Sequence, residues 1–148
     1  MGTTVPDIVE TLIADERSMA HLATSTDDRP HVAPVWYRYD GEAEELVIVT
    51  GGRKLENIRA NPRVAVSIQN DVDGDTLWMV TLLGTARIID DRAAFREANR
   101  KINAKYGASE DAYEENTLVR ISIGTAAYRT YEGFEPPEDV AYTDGQWS

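Results

Sequence analysis

The stretch MAHLATSTDDRPHVAPVWYRY, residues 19–39, decides the fold. Its two ends, residues 19–26 and 31–39, are rich in β-branched and aromatic side chains, and Asp27-Asp28-Arg29-Pro30 between them has the composition of a turn. Strands joined by so short a connection pair antiparallel, because a parallel pair needs a crossover of a dozen residues or more. Asp40-Gly41 then turns the chain into Glu45-Leu46-Val47-Ile48-Val49-Thr50, an almost continuous apolar run of strand length. Three successive strands with no helix between them point to an antiparallel sheet.

The flanking sequence agrees. Residues 7–17 place Ile8, Val9, Leu12 and Ile13 on one side at helical spacing, with Pro6 and Asp7 as a start signal. Residues 53–60 carry Leu55 and Ile58 three apart and stop at Asn61-Pro62, because the residue before proline avoids helical angles. Residues 63–68 alternate cleanly. The acidic loop 71–75 leads to a long strand, 77–89, expected to bend at Gly84. Residues 91–106 put Phe95, Ala98, Ile102 and Tyr106 on one stripe of a surface helix ending at Gly107, and residues 118–123 and 126–131 supply the closing strand or strands. Strand and helix do not alternate as a parallel sheet requires, so an antiparallel barrel with helices at its ends fits best.

Composition narrows the function. At 148 residues the chain is the length of one domain. No apolar run approaches the ~20 residues of a membrane-spanning helix. The start MGTTVPDIVETLIADER lacks a basic, apolar leader, so a cytoplasmic protein is expected. The absence of cysteine excludes disulfides, thiolate metal sites and cysteine nucleophiles. A net charge of −11 disfavours nucleic acid and anionic membranes as partners. Only Lys54, Lys101 and Lys105 are lysines, and this acidic, lysine-poor composition resembles that of proteins from salt-adapted organisms.

One segment suggests a ligand. In Val49-Thr50-Gly51-Gly52-Arg53-Lys54 a strand end, two glycines, a hydroxyl and two adjacent cations precede a helix, whose free amides attract anions. The alternative is a plain turn with solvated cations. The nucleoside-triphosphate loop pattern is absent. His21 and His31 fall on separate strands without ligand-spaced partners, and Asp71, Asp73 and Asp75 lack the glycine and terminal glutamate of a calcium loop, so no metal is expected. Trp36, Tyr37 and Tyr39 are the strand's aromatic residues, as suited to a core as to stacking on a ring.

Taken in order, Ala20-His21-Leu22-Ala23-Thr24, Arg29-Pro30-His31-Val32-Ala33-Pro34-Val35-Trp36-Tyr37, Val49-Thr50, Arg53-Lys54, Asn57-Ile58, Asn61-Pro62-Arg63-Val64 and Gly84-Thr85-Ala86-Arg87 resemble the pyridoxamine 5'-phosphate oxidase-like flavoproteins over about residues 8–131. The resemblance implies a mainly β, six-stranded antiparallel split barrel of Greek-key type with flanking helices, over residues 1–133. An acidic tail, residues 134–148, follows, mobile unless Trp147 docks. The resemblance also implies a homodimer with FMN, or a related flavin, in each of two clefts at the subunit interface. Residues matching Thr50, Arg53 and Lys54 hold the flavin phosphate in such proteins, and the strand matching Pro34, Val35 and Trp36 lies along the ring and ribityl chain. Met79 stands nearest to the position of a glutamine that reaches the neighbouring subunit's flavin. The oxidase's C-terminal tryptophan and arginine pattern is missing, which argues against pyridoxamine phosphate oxidation. The expected function is an FMN-dependent oxidoreductase acting on a small molecule. The alternatives are a deazaflavin-dependent reductase and a non-catalytic flavin- or haem-binding module.

Overall fold

Asp27 and Asp28 both take left-handed backbone angles, φ 50° and 59°. Two such residues make the tight turn whose twist matches that of paired strands. The first hairpin therefore forms as expected, β1 (Ala20–Thr26) with β2 (Arg29–Val35), preceded by α1 (Asp7–Ala14). The computed structural model describes residues 5–138 and Val140. Its remaining elements are β3 (Arg38–Asp40), β4 (Glu45–Thr50), α2 (Arg53–Ala60), β5 (Arg63–Val72), β6 (Asp75–Ile89), α3 (Arg92–Tyr106) and β7 (Thr117–Thr130). All strands join one antiparallel sheet in the order β2-β1-β5-β6-β7-β4-β3.

The sheet has seven strands where six were expected, because the run 31–39 breaks at Trp36-Tyr37 into β2 and β3. These two pieces lie at opposite edges of the hydrogen-bonded order. Only three Cα–Cα steps separate Val35 from Arg38, a reach of about 11 Å at most. The edges are thus brought together by the chain itself without a closing ladder, which makes the barrel split. Tyr37 fills the break. It is fully buried, and its hydroxyl donates to the Ile13 carbonyl at 2.6 Å. The Tyr37 N–H donates to the Tyr106 hydroxyl at 3.4 Å, and its carbonyl accepts from Lys105 at 2.9 Å. Its peptide groups are satisfied by the end of α3, so no ladder is needed there.

Gly84 lies within the continuous strand β6, closely packed against β7. A Cβ there would sit 2.4 Å from the Ser122 carbonyl oxygen on β7, so only glycine permits the approach. The register slips at this point, Leu83 pairing Thr125 and Gly84 pairing Ile123, and Gly124 is the extra residue. One bulged strand replaces the two short closing runs. In place of a loop over 71–75, the backbone turns tightly at Asp73 and Gly74, φ 50° and 87°. Asp91 caps α3 by accepting from the Ala93 and Ala94 amides, and Gly107 ends it at φ 76°.

The main core gathers Ile8, Val9, Leu12 and Ile13 of α1 with Leu22, Leu46, Ile48, Ile68, Val80, Leu82 and Ile121 of the sheet. A smaller cluster packs Phe95, Ala98 and Ile102 of α3 on Val47 and Leu118. Phe134 and Val140 of the expected tail pack against the main core. Trp147 lies outside the described residues. Among the described residues, no helix is long and apolar enough to cross a membrane.

A charged clamp ties β3, β4, β6 and β7 together. The Glu45 side chain accepts from Arg120 at 2.6 Å, from Ser122 at 2.8 Å and from Arg87, and Arg120 also pairs with Asp40. Burial by itself raises the Glu45 pKa, but the hydrogen bonds from Arg87, Arg120 and Ser122 outweigh it and hold the carboxyl at about 2.

Candidate functional site

Residues at the ends of β2 and β4 line one cavity of about 230 Å³ together with α3. One wall is Pro34, Val35 and Trp36, and another is Val49 and Thr50 with Lys54 from the first turn of α2. Opposite stand Asn99, Ile102 and Asn103 of α3, with Tyr113 and Asn116 of the loop 107–116. Five of the seven expected site residues, Pro34, Val35, Trp36, Thr50 and Lys54, therefore meet in one place.

Trp36 is held by the protein itself. Its ring stacks on Tyr106 at 4.8 Å, nearly parallel, and meets Tyr113 edge-on at 5.5 Å. One face is occupied, so it serves as a cavity wall with at most one face free for a ligand. The other two aromatic residues of that strand are taken up elsewhere, Tyr37 in the core and Tyr39 by its hydroxyl donating to Glu10 at 2.7 Å.

Arg53 and Lys54 part company. Successive helical positions are about 100° apart and do not face one another. Lys54 lines the first cavity, and Arg53 lines a second, of about 340 Å³, with Arg29, His31 and Asn57. Gly52 precedes the helix at φ 71°, with no side chain capping its first turn. Among the described residues neither cation forms an ion pair, whereas Arg87, Arg100, Lys101 and Arg120 all do.

Met79 sits apart from both cavities, on the outward face of β6 between Gln69 and Arg129, and the Tyr131 hydroxyl donates to its sulfur at 3.0 Å. His21 is exposed on the outward face of β1, while His31 lines the second cavity. Among the described residues no group of three or more potential ligands is placed to hold a metal.

The sequence reading missed the α3 side of the first cavity. Asn99 and Asn103 are buried, and their amides donate to the Ala112 carbonyl at 2.8 and 3.0 Å, with Asn103 also reaching Glu110. They pin the loop 107–116 to the helix, so Tyr113 and Asn116 reach the cavity. Their signal was present, since two asparagines four apart interrupt the apolar stripe of α3.

Outward-facing residues give the sheet a second surface. Pairing aligns Val32, Ala23, Ala65, Leu83 and Thr125 in one row and Pro34, His21, Ser67, Thr81 and Ala127 in the next. Neither row holds an acidic residue, a lysine or an arginine, although the chain carries 26 acidic residues. Val32 is 65% and Leu83 50% exposed.

Three solved structures place the fold. A conserved hypothetical protein from Mycobacterium tuberculosis is 24% identical, with 96% of this chain and 99% of that one covered at a TM-score of 0.69. A structure described as an F420 reductase is 26% identical, covering 83% and 98% at 0.67. A FAD-binding protein from Mesorhizobium loti is 23% identical, covering 85% and 95% at 0.66. No curated protein sequence matches the chain. The family model described as pyridoxamine 5'-phosphate oxidase matches residues 6–129. With that match over most of its length, on a split antiparallel sheet, the chain belongs to the pyridoxamine 5'-phosphate oxidase family.

Proposed function

We propose that the chain is a flavin-dependent oxidoreductase that binds FMN as a homodimer and acts on a small molecule. One observation carries this reading: the strand end Pro34-Val35-Trp36 shares a cavity with Thr50 and with Lys54, a cation that forms no ion pair among the described residues. A doubly charged phosphate at Thr50 and Lys54 gains charge-assisted hydrogen bonds, each worth roughly 1.5–3 kcal/mol, and Arg53 adds charge from the other side of the helix turn. The acidic remainder of the chain makes such a local cluster necessary for an anionic ligand. When bound, FMN supplies two-electron hydride chemistry; the chain supplies binding, orientation and exclusion of water.

The cavity volume of about 230 Å³ is smaller than the ~300–1,000 Å³ of sites that enclose a drug-sized ligand. A site that encloses a flavin therefore needs a further wall, which a second copy of the chain supplies in this reading. The uncharged outward face beside Pro34 suits that contact. Met79 lies on the same face, where dimerisation delivers it to the other copy's cleft. A deazaflavin coenzyme is a second reading, favoured by the likeness to a structure described as an F420 reductase.

The test is reconstitution. Purified protein mixed with FMN and passed through gel filtration should retain about one flavin per subunit, as a dimer. Lys54→Ala should retain much less FMN while keeping its affinity for riboflavin, which lacks the phosphate. Retention unchanged in that variant, or no retention of FMN or deazaflavin by the wild type, overturns the assignment.

A further inference from the structure

Trp36 stands where the sheet lets go. The β1–β2 ladder ends at Val35 and the β3–β4 ladder starts at Arg38, so the peptide of Trp36 belongs to neither. Its ring is therefore placed by what it packs against rather than by strand pairing. Tyr106, the last residue of α3, takes hold of it at two points. The two rings stack 4.8 Å apart and within 2° of parallel. The Tyr106 hydroxyl accepts from the next peptide, the Tyr37 N–H, at 3.4 Å and donates to the Ser18 carbonyl at 2.8 Å. Lys105 reinforces that end, with its ammonium 5.2 Å from the Tyr106 ring centroid and donating to the Tyr37 carbonyl. Tyr106 is thus tied to α3, to the segment after α1 and to the break itself. It does not line the cavity, whereas Trp36 and Tyr113 do.

We propose that Tyr106 is a positioning residue: through the stack it holds the Trp36 ring as a preset wall of the cavity, and so governs recognition of the cofactor's ring without touching it. The inference rests on the cavity holding that cofactor. A wall fixed before binding loses no side-chain freedom when the ligand arrives, so more of its contact energy goes into affinity. The effect is confined to the ring. Thr50 and Lys54, the residues read as holding the phosphate, form the other wall, and no contact joins them to Tyr106.

A double-mutant cycle on the full-length protein tests this, with affinities for riboflavin, FMN and a deazaflavin coenzyme titrated by fluorescence. Its members are wild type, Tyr106→Leu, Trp36→Leu and the two changes together, with Tyr106→Met taking the place of Tyr106→Leu if that variant does not fold. Removing the ring at position 106 should weaken riboflavin and FMN alike by about fivefold, the scale of one aromatic pair. Tyr106→Phe keeps the stack and should bind within about twofold of wild type. In the Trp36→Leu background the further loss of Tyr106 should change affinity by less than about twofold, because the residue acts through Trp36. A full loss in that background, or no loss in Tyr106→Leu alone, overturns the proposal and leaves the flavin reading intact. Tyr106→Phe binding as weakly as Tyr106→Leu also overturns it, since the stack then does not place Trp36. Wild type that binds none of the three ligands removes the flavin reading and this inference together.

Discussion

Replacing Glu45 by glutamine removes the one anion between Arg87 and Arg120, which stand opposite each other on β6 and β7. The carboxylate is buried, and its pKa falls from an ordinary 4.5 to about 2 despite the desolvation that opposes ionisation. At ~1.4 kcal/mol per pH unit, that gap is worth about 3 kcal/mol of folding stability at neutral pH. The sign follows from the depressed value. The contribution is complete above pH ~4.5, the unfolded chain's carboxylate value, and drains away as pH falls toward 2. Glu45→Gln should therefore lower stability by about 2–3 kcal/mol at pH 7, or Tm by roughly 5–10 °C for a chain of this length. Urea denaturation at pH 7, 5, 4 and 3 measures it. The difference between wild type and variant should be constant from pH 7 to 5 and then shrink. A difference that stays constant down to pH 3, or is absent at pH 7, refutes the clamp.

Three other perturbations probe the fold. Gly84→Ala must push its Cβ away from a backbone oxygen at 2.4 Å and should cost about 1–3 kcal/mol, whereas Gly124→Ala, with its nearest contact at 3.6 Å, should cost less; equal chemical-denaturation midpoints for the two would contradict the close approach. Tyr37→Phe leaves the Ile13 carbonyl without its buried donor and should lose about 1–3 kcal/mol, so a variant as stable as wild type would show that the bond contributes nothing. Burial lowers the Lys105 ammonium to about 8, and side-chain NMR should find one lysine titrating there that disappears in Lys105→Arg; no such resonance would mean that Lys105 is solvated.

Much of this architecture can be read from local chemistry. Asp27-Asp28 takes the angles of a hairpin turn, Gly107 ends α3, Gly84 admits the close approach of β7, and the four apolar residues of α1 are buried together. Each feature depends on one residue's conformational allowance or on a repeat period. The break at Trp36-Tyr37 depends on neither. Its composition continues that of a strand, and the groups that satisfy Tyr37 come from Ile13, Lys105 and Tyr106, far away in sequence. The same holds for Glu45, which reads as the polar first residue of an apolar strand, although its partners Arg87 and Arg120 lie on β6 and β7. In the candidate site, Pro34, Val35 and Trp36 were legible through the family resemblance alone, and they line one cavity with Thr50 and Lys54. The division between Arg53 and Lys54 was hidden by their adjacency in sequence, which suggests one cluster where helix geometry makes two directions.

Charge sets two opposing demands that salt can separate. The net charge of −11 means that carboxylate repulsion works against folding and association, while the proposed phosphate site at Arg53 and Lys54 draws an anionic ligand. Raising salt shortens the Debye length from ~10 Å at 0.1 M to ~3 Å at 1 M and weakens both effects. Between 0.1 M and 2 M potassium chloride, Tm of the cofactor-free protein should therefore rise, while affinity for FMN should fall. Riboflavin, which has no phosphate, is the control and should bind no more weakly at high salt. If Tm is the same at both concentrations, surface repulsion has no part in stability and the acidic, lysine-poor composition has no energetic meaning. If FMN affinity instead holds steady or increases with salt, attraction between the cations and the phosphate is not what binds it, and the ring contacts along Pro34, Val35 and Trp36 must account for its retention.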